Sequence, residues 1–549
     1  MKTSVNLLLL AIAFCGGSTA HAQDALDVTA PSQIEERDDA FAPGEDALRI
    51  EFEPVLEMPS VSPEQGLITV SAIAIDGLVA LDRASFAEVI EAYAARTLSP
   101  DDLARLTASI AESARARGYL FANAWVPPQS LEVGVLRIVV DEGMIDEIRI
   151  EGSSDPAIAR MLAPLKNGQP VSLDRLERHV LLADDLPGVY LRDTRFVREG
   201  DHGVLVVEAY RQDWYARASL SNDGTKPQGP IRARIDVDAN GLLFDNDGVD
   251  LSLTVAPADP DELVFFSSRY SIVVNNAGTE LSMFGSYSDT NPGAYLSDLD
   301  IFGESWRAGV RVRHPILRSR DRGVWLEGSL EVQDLKQDRL GVQARHDRIP
   351  VARFGAYSFF HGLGGRVRSR VTITRGLNIL GATQAGDLLA SRLDAQPDFT
   401  TLDWWVGYDR SLGGDFSLAL NAIGQFSTEP VLIGEGISLG GNFYVRGYDF
   451  STRVGDQGVM GVGELRYDWP QALGLLENMQ IYAFADGGVV TNLDDGFGGG
   501  SLASTGGGLR ADVTNTLDLD FLVAVPLTGD RYDTGDQSPR VHVRVSKSF

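Results

Sequence analysis

Between residue 213 and the C-terminus, apolar and polar residues alternate in short segments that are separated by Gly, Asp, Asn and Pro. In one segment, Ile235 and Val237 alternate with Arg234 and Asp236. Successive side chains of a β-strand point to opposite faces, so each segment predicts a strand with one apolar and one charged face. We count sixteen such segments, and the last one ends at the C-terminal residue, Phe549.

The charges repeatedly gather on one face of a segment. Arg366, Arg368 and Arg370 share one face, and Val367 and Val371 share the other. A water-soluble sandwich would bury the apolar faces, and any single strand fits that arrangement too. Repeated clusters of charge are better explained by a hydrated lumen with the apolar faces in lipid, as in bacterial barrels with an even number of strands. Residues 213–549 are therefore predicted to form a sixteen-stranded transmembrane β-barrel.

The N-terminus indicates export. Lys2 precedes an apolar run over residues 6–14, and Ala20 and Ala22 supply small residues at the cleavage positions, which predicts a signal peptide over residues 1–22. The only cysteine, Cys15, lies within this segment, so the mature chain is expected to have no disulfide and no thiolate metal site. The formal charge of −29 argues against nucleic acid as a partner.

Residues 23–66 are acidic and dotted with proline, which predicts a flexible linker. A short helix could form within residues 32–40, although its apolar face would be small. Beyond the signal peptide there is no apolar run of 18 or more residues, so no transmembrane helix is expected.

Two successive α+β units are predicted at residues 67–143 and 144–212. In the first unit, a strand-like segment precedes two helical patterns, and Ser99, Pro100 and Asp102 mark the start of the second helix. Two further strand-like segments end the unit. The same order of strand, helix, helix, strand and strand recurs in the second unit. We interpret the two units as a tandem repeat in which helices cover one face of a small sheet.

A long loop, residues 427–455, interrupts the barrel pattern. Near its middle, Val445, Gly447 and Tyr448 surround the cation of Arg446. Loops of this length inside a compact fold are usually functional or disordered. The apolar composition suggests a loop folded back into a cavity, where Arg446 would seek an acid. The alternative is a surface arginine with aromatic side chains nearby.

Signatures of common enzyme sites are missing. The sequence contains no phosphate-binding loop with its lysine and no G-x-S-x-G turn. Its seven histidines are far apart and lack the spacing of metal ligands. We therefore expect a protein that is not an enzyme and that holds no cofactor and no metal ion.

Several motifs, taken in order, resemble the outer-membrane transporters of two-partner secretion, the ShlB/FhaC/HecB group. The barrel region carries the sixth-loop motif and the F-x-D-x-G strand motif of that family, at Val445-Arg446-Gly447-Tyr448 and at Phe484, Asp486 and Gly488. The two α+β units resemble its first and second periplasmic POTRA domains, at Gly118-Tyr119, at Glu142-Gly143 and at Leu186-Pro187-Gly188-Val189. The resemblance extends over nearly the whole chain after the linker.

This resemblance implies a position for the loop. The loop would lie inside the barrel, with Arg446 against Asp486. Removing one partner of such a pair typically costs about 3–5 kcal/mol, because the other charge is left uncompensated. The pair would then pin the loop tip and support an open or openable transport path. Alternatively, it would be needed only for folding of the barrel.

The resemblance also implies a function and partners. An unfolded exoprotein would be captured in the periplasm and exported through a barrel embedded in outer-membrane lipid, and periplasmic chaperones could assist. The client would add a strand to a POTRA sheet edge, near Tyr119 to Val126 or near Gly188 to Val197. Alternatively, the POTRA domains would be rigid spacers. Two other functions stay open: an assembly insertase of the BamA type, which shares both barrel motifs, and a passive porin.

Overall fold

The computed structural model describes residues 49–52, 67–129, 134–200, 202–474, 476–494, 496 and 498–549. The predicted signal peptide, residues 1–22, and the short helix predicted within residues 32–40 lie outside these residues. In the described part of the chain, no helix is both long and apolar enough to cross a membrane.

The first unit has the predicted α+β arrangement, with helices packed on a small sheet. An upstream strand and the elements of this unit are β1 (Arg49–Phe52), β2 (Ile68–Val70), β3 (Ala72–Asp76), α1 (Ala87–Tyr93), β4 (Arg96–Leu98), α2 (Pro100–Ala116), β5 (Asn123–Trp125) and β6 (Val135–Asp141). Strand β6 lies between β3, to which it is parallel, and β5, to which it is antiparallel. Leu106 and Ile110 of α2 pack in one core with Leu136 and Ile138 of β6.

Helix α2 begins where the sequence predicts a cap. The Ser99 hydroxyl accepts the amide of Asp102 at 3.2 Å, and the Asp102 carboxylate accepts the amide of Ser99 at 2.9 Å. This reciprocal pair satisfies two amides that the first turn leaves without partners. The hydroxyl and the amide of Ser99 both donate to Asp102 and hold its pKa below the usual range.

The second unit repeats this topology. Its elements are β7 (Glu147–Glu151), α3 (Pro156–Leu162), α4 (Leu173–Asp184), β8 (Val189–Glu199) and β9 (His202–Arg211). Strand β9 lies between β7, to which it is parallel, and β8, to which it is antiparallel. Ile158 of α3 and Val180 of α4 are fully buried against Leu205 and Val207 of β9.

The outer edge of this second sheet is occupied by β1, which runs parallel to β8. Four residues of the predicted flexible linker are therefore part of a sheet. The sequence gives little sign of this strand, because its segment is short and is followed by Pro54.

The rest of the chain closes into a sixteen-stranded antiparallel barrel, which confirms the predicted fold class. The wall strands are β10 (Trp214–Ser221), β11 (Arg232–Asn240), β12 (Asp247–Val255), β13 (Val264–Val273), β14 (Glu280–Thr290), β15 (Ile301–Arg318), β16 (Arg322–Arg339), β17 (Val342–Gly362), β18 (Gly365–Gly376), β19 (Thr400–Gly413), β20 (Phe416–Ser427), β23 (Gln457–Pro470), β24 (Asn478–Thr491), β25 (Gly500–Thr514), β26 (Leu517–Pro526) and β27 (Arg540–Ser548). Between β20 and β23, the long loop carries a hairpin of β21 (Ile437–Leu439) and β22 (Arg453–Gly455).

The two faces of the wall differ as the alternation predicts. Apolar side chains such as Leu330 and Phe354 point outward and are 57% and 59% exposed. Charged side chains point inward, and the Glu331 carboxylate pairs with both Arg307 and Arg353. The barrel therefore has an apolar outer surface and a charged lumen.

The second unit contacts the end of the barrel at which short turns connect β13 to β14 and β15 to β16. Arg318, at the end of β15, donates two hydrogen bonds of 2.8 Å to Asp185, just after α4. The Arg318 side chain is only 2% exposed. Arg178 of α4 also donates to the Pro315 carbonyl at 3.0 Å. These contacts fix the orientation of the unit relative to the lumen.

We predict that Asp185→Ala loosens this junction. The substitution leaves the buried Arg318 guanidinium without a carboxylate, at a cost of about 3 kcal/mol. The distance between spin labels on α3 and on the barrel should then become broadly distributed in pulsed electron-spin measurements. As a control, Glu199→Ala removes an exposed pair with Arg149 and should leave that distribution unchanged.

Candidate functional site

The long loop folds back into the lumen and places Arg446 against the barrel wall. Val445 and Tyr448 are fully buried beside Met460 and Leu502, in one cluster with residues of the hairpin. The Arg446 side chain is 8% exposed. This location agrees with a loop inside a cavity and not with a surface arginine.

The acid closest to the Arg446 guanidinium is Glu464 of β23. Arg446 Nη1 lies 2.7 Å from Glu464 Oε1, whereas Arg446 Nε lies 4.0 Å from Asp486 Oδ2. The guanidinium also lies over the Phe484 ring, with its central carbon 4.5 Å from the ring centre. The loop tip lies against the inner wall of the barrel, and the shortest charge contact of Arg446 is with Glu464.

Asp486 holds the backbone of the loop tip instead. Its Oδ2 accepts the amide of Arg446 at 3.1 Å, and its Oδ1 accepts the hydroxyl of Ser504. Ser504 in turn accepts the amide of Gly447 at 3.0 Å. Both Asp486 oxygens therefore have partners other than the guanidinium.

Glu464 is shared by three arginines. Besides Arg446, Arg466 Nη2 lies 2.8 Å from it and Arg510 Nη2 lies 3.2 Å from it. The Glu464 side chain is 2% exposed, so its charge is stable there only because these cations surround it. The alternation predicts that Glu464 and Arg466 share the lumen face of β23. It does not show that the loop arginine reaches them.

The tip itself is a tight turn. Val445 has a φ of 56°, a left-handed conformation that a β-branched residue rarely adopts. The Tyr448 amide donates to the Val445 carbonyl at 3.1 Å. A side chain at Gly447 would lie 2.8 Å from Ser504 Cβ and 3.0 Å from the Pro526 nitrogen. Glycine is therefore required where the turn touches the wall.

Residues of the wall strands and of the loop after β26 hold the turn from the other side. The Tyr448 hydroxyl donates to the Thr528 carbonyl and accepts the Thr528 amide at 3.1 Å. Arg540 of β27 donates to the Tyr448 carbonyl and pairs with Asp449 at 3.1 Å. On β24, Gly488 gives room to Met460 and to the hairpin, because a side chain there would lie 2.6 Å from Met460 Cβ. The loop tip thus connects β23 to β27.

At the opposite end of the barrel, the loop between β18 and β19 contacts the base of the long loop. Arg392, in the loop between β18 and β19, pairs with the buried Asp456 at the base of the long loop. Phe399, Val431 and Leu432 form an apolar cluster beside this pair. The long loop is therefore held at its base as well as at its tip.

The two POTRA edges named by the sequence differ in the structure. The edge near Tyr119 to Val126 is β5, and β6 is its only partner in the described residues. The edge near Gly188 to Val197 is β8, and its outer side carries β1. Of the two edges, only that of β8 carries a second strand in the described residues.

Comparison with known proteins places these features in context. The family described as "Haemolysin secretion/activation protein ShlB/FhaC/HecB" matches residues 200–511. A POTRA domain of ShlB type matches residues 68–143. Because the second α+β unit repeats the sheet topology of the matched one, the two units are hereafter called the first and second POTRA domains.

Relatives of known name are similar over most of their length. Heme/hemopexin transporter protein HuxB of Haemophilus influenzae is 24% identical over 462 residues, which covers 80% of each chain. Outer membrane transporter CdiB of Escherichia coli is 24% identical over 498 residues, which covers 85% of this chain and 80% of that protein. The solved structure of CdiB from Escherichia coli superimposes with a TM-score of 0.72 and 22% identity, over 90% of this chain and 94% of that one. The last comparison shows a shared fold.

We predict that Glu464→Gln releases the loop tip. The amide keeps the shape of the side chain but leaves three guanidiniums without their shared carboxylate, at a cost of about 3–5 kcal/mol. A spin label at exposed Phe443 should become mobile, and the barrel should unfold at a lower temperature on semi-native gels. Glu477→Gln, at an exposed position between β23 and β24, is the matched control. If only Asp486→Asn mobilises the label, Asp486 is the main anchor.

Proposed function

The chain belongs to the ShlB/FhaC/HecB family of haemolysin secretion/activation proteins, and we propose that it captures an unfolded exported protein with its POTRA domains and passes it through its barrel. The chain is an outer-membrane transporter of the two-partner secretion type, with its POTRA domains in the periplasm. The observation that carries the proposal is the combination of two POTRA domains, fixed to one end of a barrel, with a loop pinned inside the lumen at Arg446.

Capture would use main-chain hydrogen bonds. Strand β5 lies at the edge of a three-stranded sheet, and its outer side has no strand partner in the described residues. An extended client can pair there whatever its side chains are. Such pairing suits a protein that has to stay unfolded until it has crossed the membrane. Periplasmic chaperones would keep the client extended before it binds.

Passage would use the charged lumen. Ion pairs such as Arg307–Glu331 and Arg313–Glu327 line the inner face of the wall and make it polar. The apolar outer face contacts outer-membrane lipid, as expected for a membrane barrel. In the described conformation the loop occupies part of the lumen, so export requires the loop or its neighbours to move. No nucleotide is needed if folding of the client outside the cell favours outward movement.

The nature of the client follows from the family. Relatives are named as transporters of haemolysin or for heme and hemopexin, and each of those names belongs to that relative. For this chain we propose a large secreted protein as the client. A role as an assembly insertase is less well supported, because the matching family consists of secretion proteins.

We predict that Arg446→Ala abolishes secretion while the barrel is still assembled. The substitution removes the cation that contacts Glu464 and Phe484, so the loop tip loses its fixed position. Client in the medium should fall at least about tenfold, the equivalent of 1.4 kcal/mol of lost anchoring. Heat-modifiable barrel in the outer membrane should stay at its normal level. Arg453→Ala, in the same loop but bonded to a backbone carbonyl, should secrete normally. Loss of the barrel itself would instead assign Arg446 to folding.

Depletion of the protein separates secretion from barrel assembly. We expect one large extracellular protein to disappear from the medium while the other outer-membrane barrels keep their abundance. Quantitative proteomics of the medium and of the outer membrane measures both. A broad loss of barrels would contradict the secretion proposal and identify an insertase.

A further inference from the structure

The outer edge of β8 already holds a strand. The register pairs Arg49 with Asp193 and Phe52 with Phe196, so β1 covers residues 193–196 of β8 in parallel. Strand β8 extends from Val189 to Glu199, so residues 189–192 and 197–199 have no strand partner on that side in the described residues. At the start of β8 the Leu191 amide donates to Asp184 Oδ1 at 2.8 Å, so a longer strand would have to displace this contact or extend past residue 196. An uncovered edge exposes unpaired backbone groups and invites another strand.

The strand that covers this edge is short and comes from far away in the sequence. Strand β1 has 4 residues, and it precedes the first POTRA domain, whereas β8 belongs to the second. A four-residue ladder is shorter than the five to six residues of an average strand. Its advantage is that it belongs to the same chain, which gives it an effective concentration of roughly millimolar. Such a strand can hold the edge at rest and still be replaced by a longer one.

We propose that the outer edge of β8 is a binding site for an extended client segment in parallel orientation, and that residues 49–52 occupy it until the client arrives. This inference rests on the proposed secretion function. The partner is any extended polypeptide that can pair over more of β8 than β1 does. The two POTRA edges then differ. Strand β5 has no strand on its outer side in the described residues, whereas β8 is covered by residues 49–52.

The parallel orientation sets the direction of the bound client. The start of β8 lies at the barrel, because the Gly188 carbonyl accepts the amide of Gln212 at 2.8 Å, just before β10. Asn240, at the end of β11, also donates to the Gln212 carbonyl at 3.0 Å. A strand parallel to β8 therefore has its N-terminal end near the barrel. A client held in this way presents its N-terminal side to the lumen first.

A reversible crosslink tests whether β1 has to leave. Glu51 and Arg195 are paired in the register, and neighbouring strands are about 4.8 Å apart, which suits a disulfide. Arg195 forms an exposed pair with Glu151. The sole native cysteine lies in the predicted signal peptide. We therefore expect the double variant Glu51→Cys/Arg195→Cys to form one defined disulfide.

Oxidised double variant should secrete at least about tenfold less client, because the competing strand is permanently in place. Reduction should restore secretion, and each single cysteine variant should secrete normally. Normal secretion by the fully crosslinked protein would overturn the inference. If the reduced double variant and the unaltered chain also fail to secrete any large protein, it is the secretion function that fails.

A peptide probe tests the site and its direction. A labelled peptide copying residues 46–53 should bind the purified full-length Ile50→Pro variant, whose own strand is weakened, at least about tenfold more tightly than the unaltered chain. It should not bind the oxidised double variant. A photoreactive group at the N-terminus of the peptide should label the start of β8, and one at the C-terminus should label its end. Reversed labelling, or equal binding to all three proteins, contradicts the proposal.

Discussion

Closure of the barrel is the constraint on which the rest of the structure depends. In lipid, a strand edge with unpaired backbone groups is too costly to exist, so the first wall strand must pair with the last. Strands β10 and β27 do so over five residue pairs, from Arg217 with Ser548 to Ser221 with Arg544. Strands β15 and β16, elsewhere in the wall, have a far longer ladder, which spans Ile301 to Arg318. The barrel is therefore closed by the shortest ladder of its wall.

A closed wall with charged inner faces creates a second requirement inside. Each lumen charge has lost part of its water and needs a partner of opposite sign. Glu464 meets this requirement with Arg446, Arg466 and Arg510. Because one of these arginines belongs to the loop, the same balance of charge that stabilises the wall also decides where the loop lies. Any movement of the loop out of the lumen has to exchange this partner or move the whole group together.

Much of this fold could be predicted from the sequence, because alternation is a local property. Ile235 and Asp236 show by their order alone that they face opposite sides of a wall, and the strand number follows by counting. The partner of Arg446 could not be predicted in the same way. Asp486 and Glu464 are both lumen acids on adjacent strands, and alternation alone does not show that Asp486 binds the Arg446 amide and Ser504 while Glu464 binds the guanidinium. Strand β1 is not predicted by the sequence either, since four residues are too few for a clear alternation and their pairing partner, β8, lies about 140 residues further along the chain.

The junction between the second POTRA domain and the barrel fixes the orientation of the β8 edge. A sheet edge on a freely rotating domain could bind a client but could not aim it. Arg318 and Asp185 form a bidentate pair at this junction, and the arginine is almost completely buried. Rotation of the domain would therefore leave the buried guanidinium with neither water nor a carboxylate partner. Bidentate geometry also restricts the angle between the two groups more than a single contact would. The edge of β8 is thus held at a fixed angle to the lumen. A strand that pairs with β8 in parallel, as β1 does, is therefore held at the same angle to the lumen.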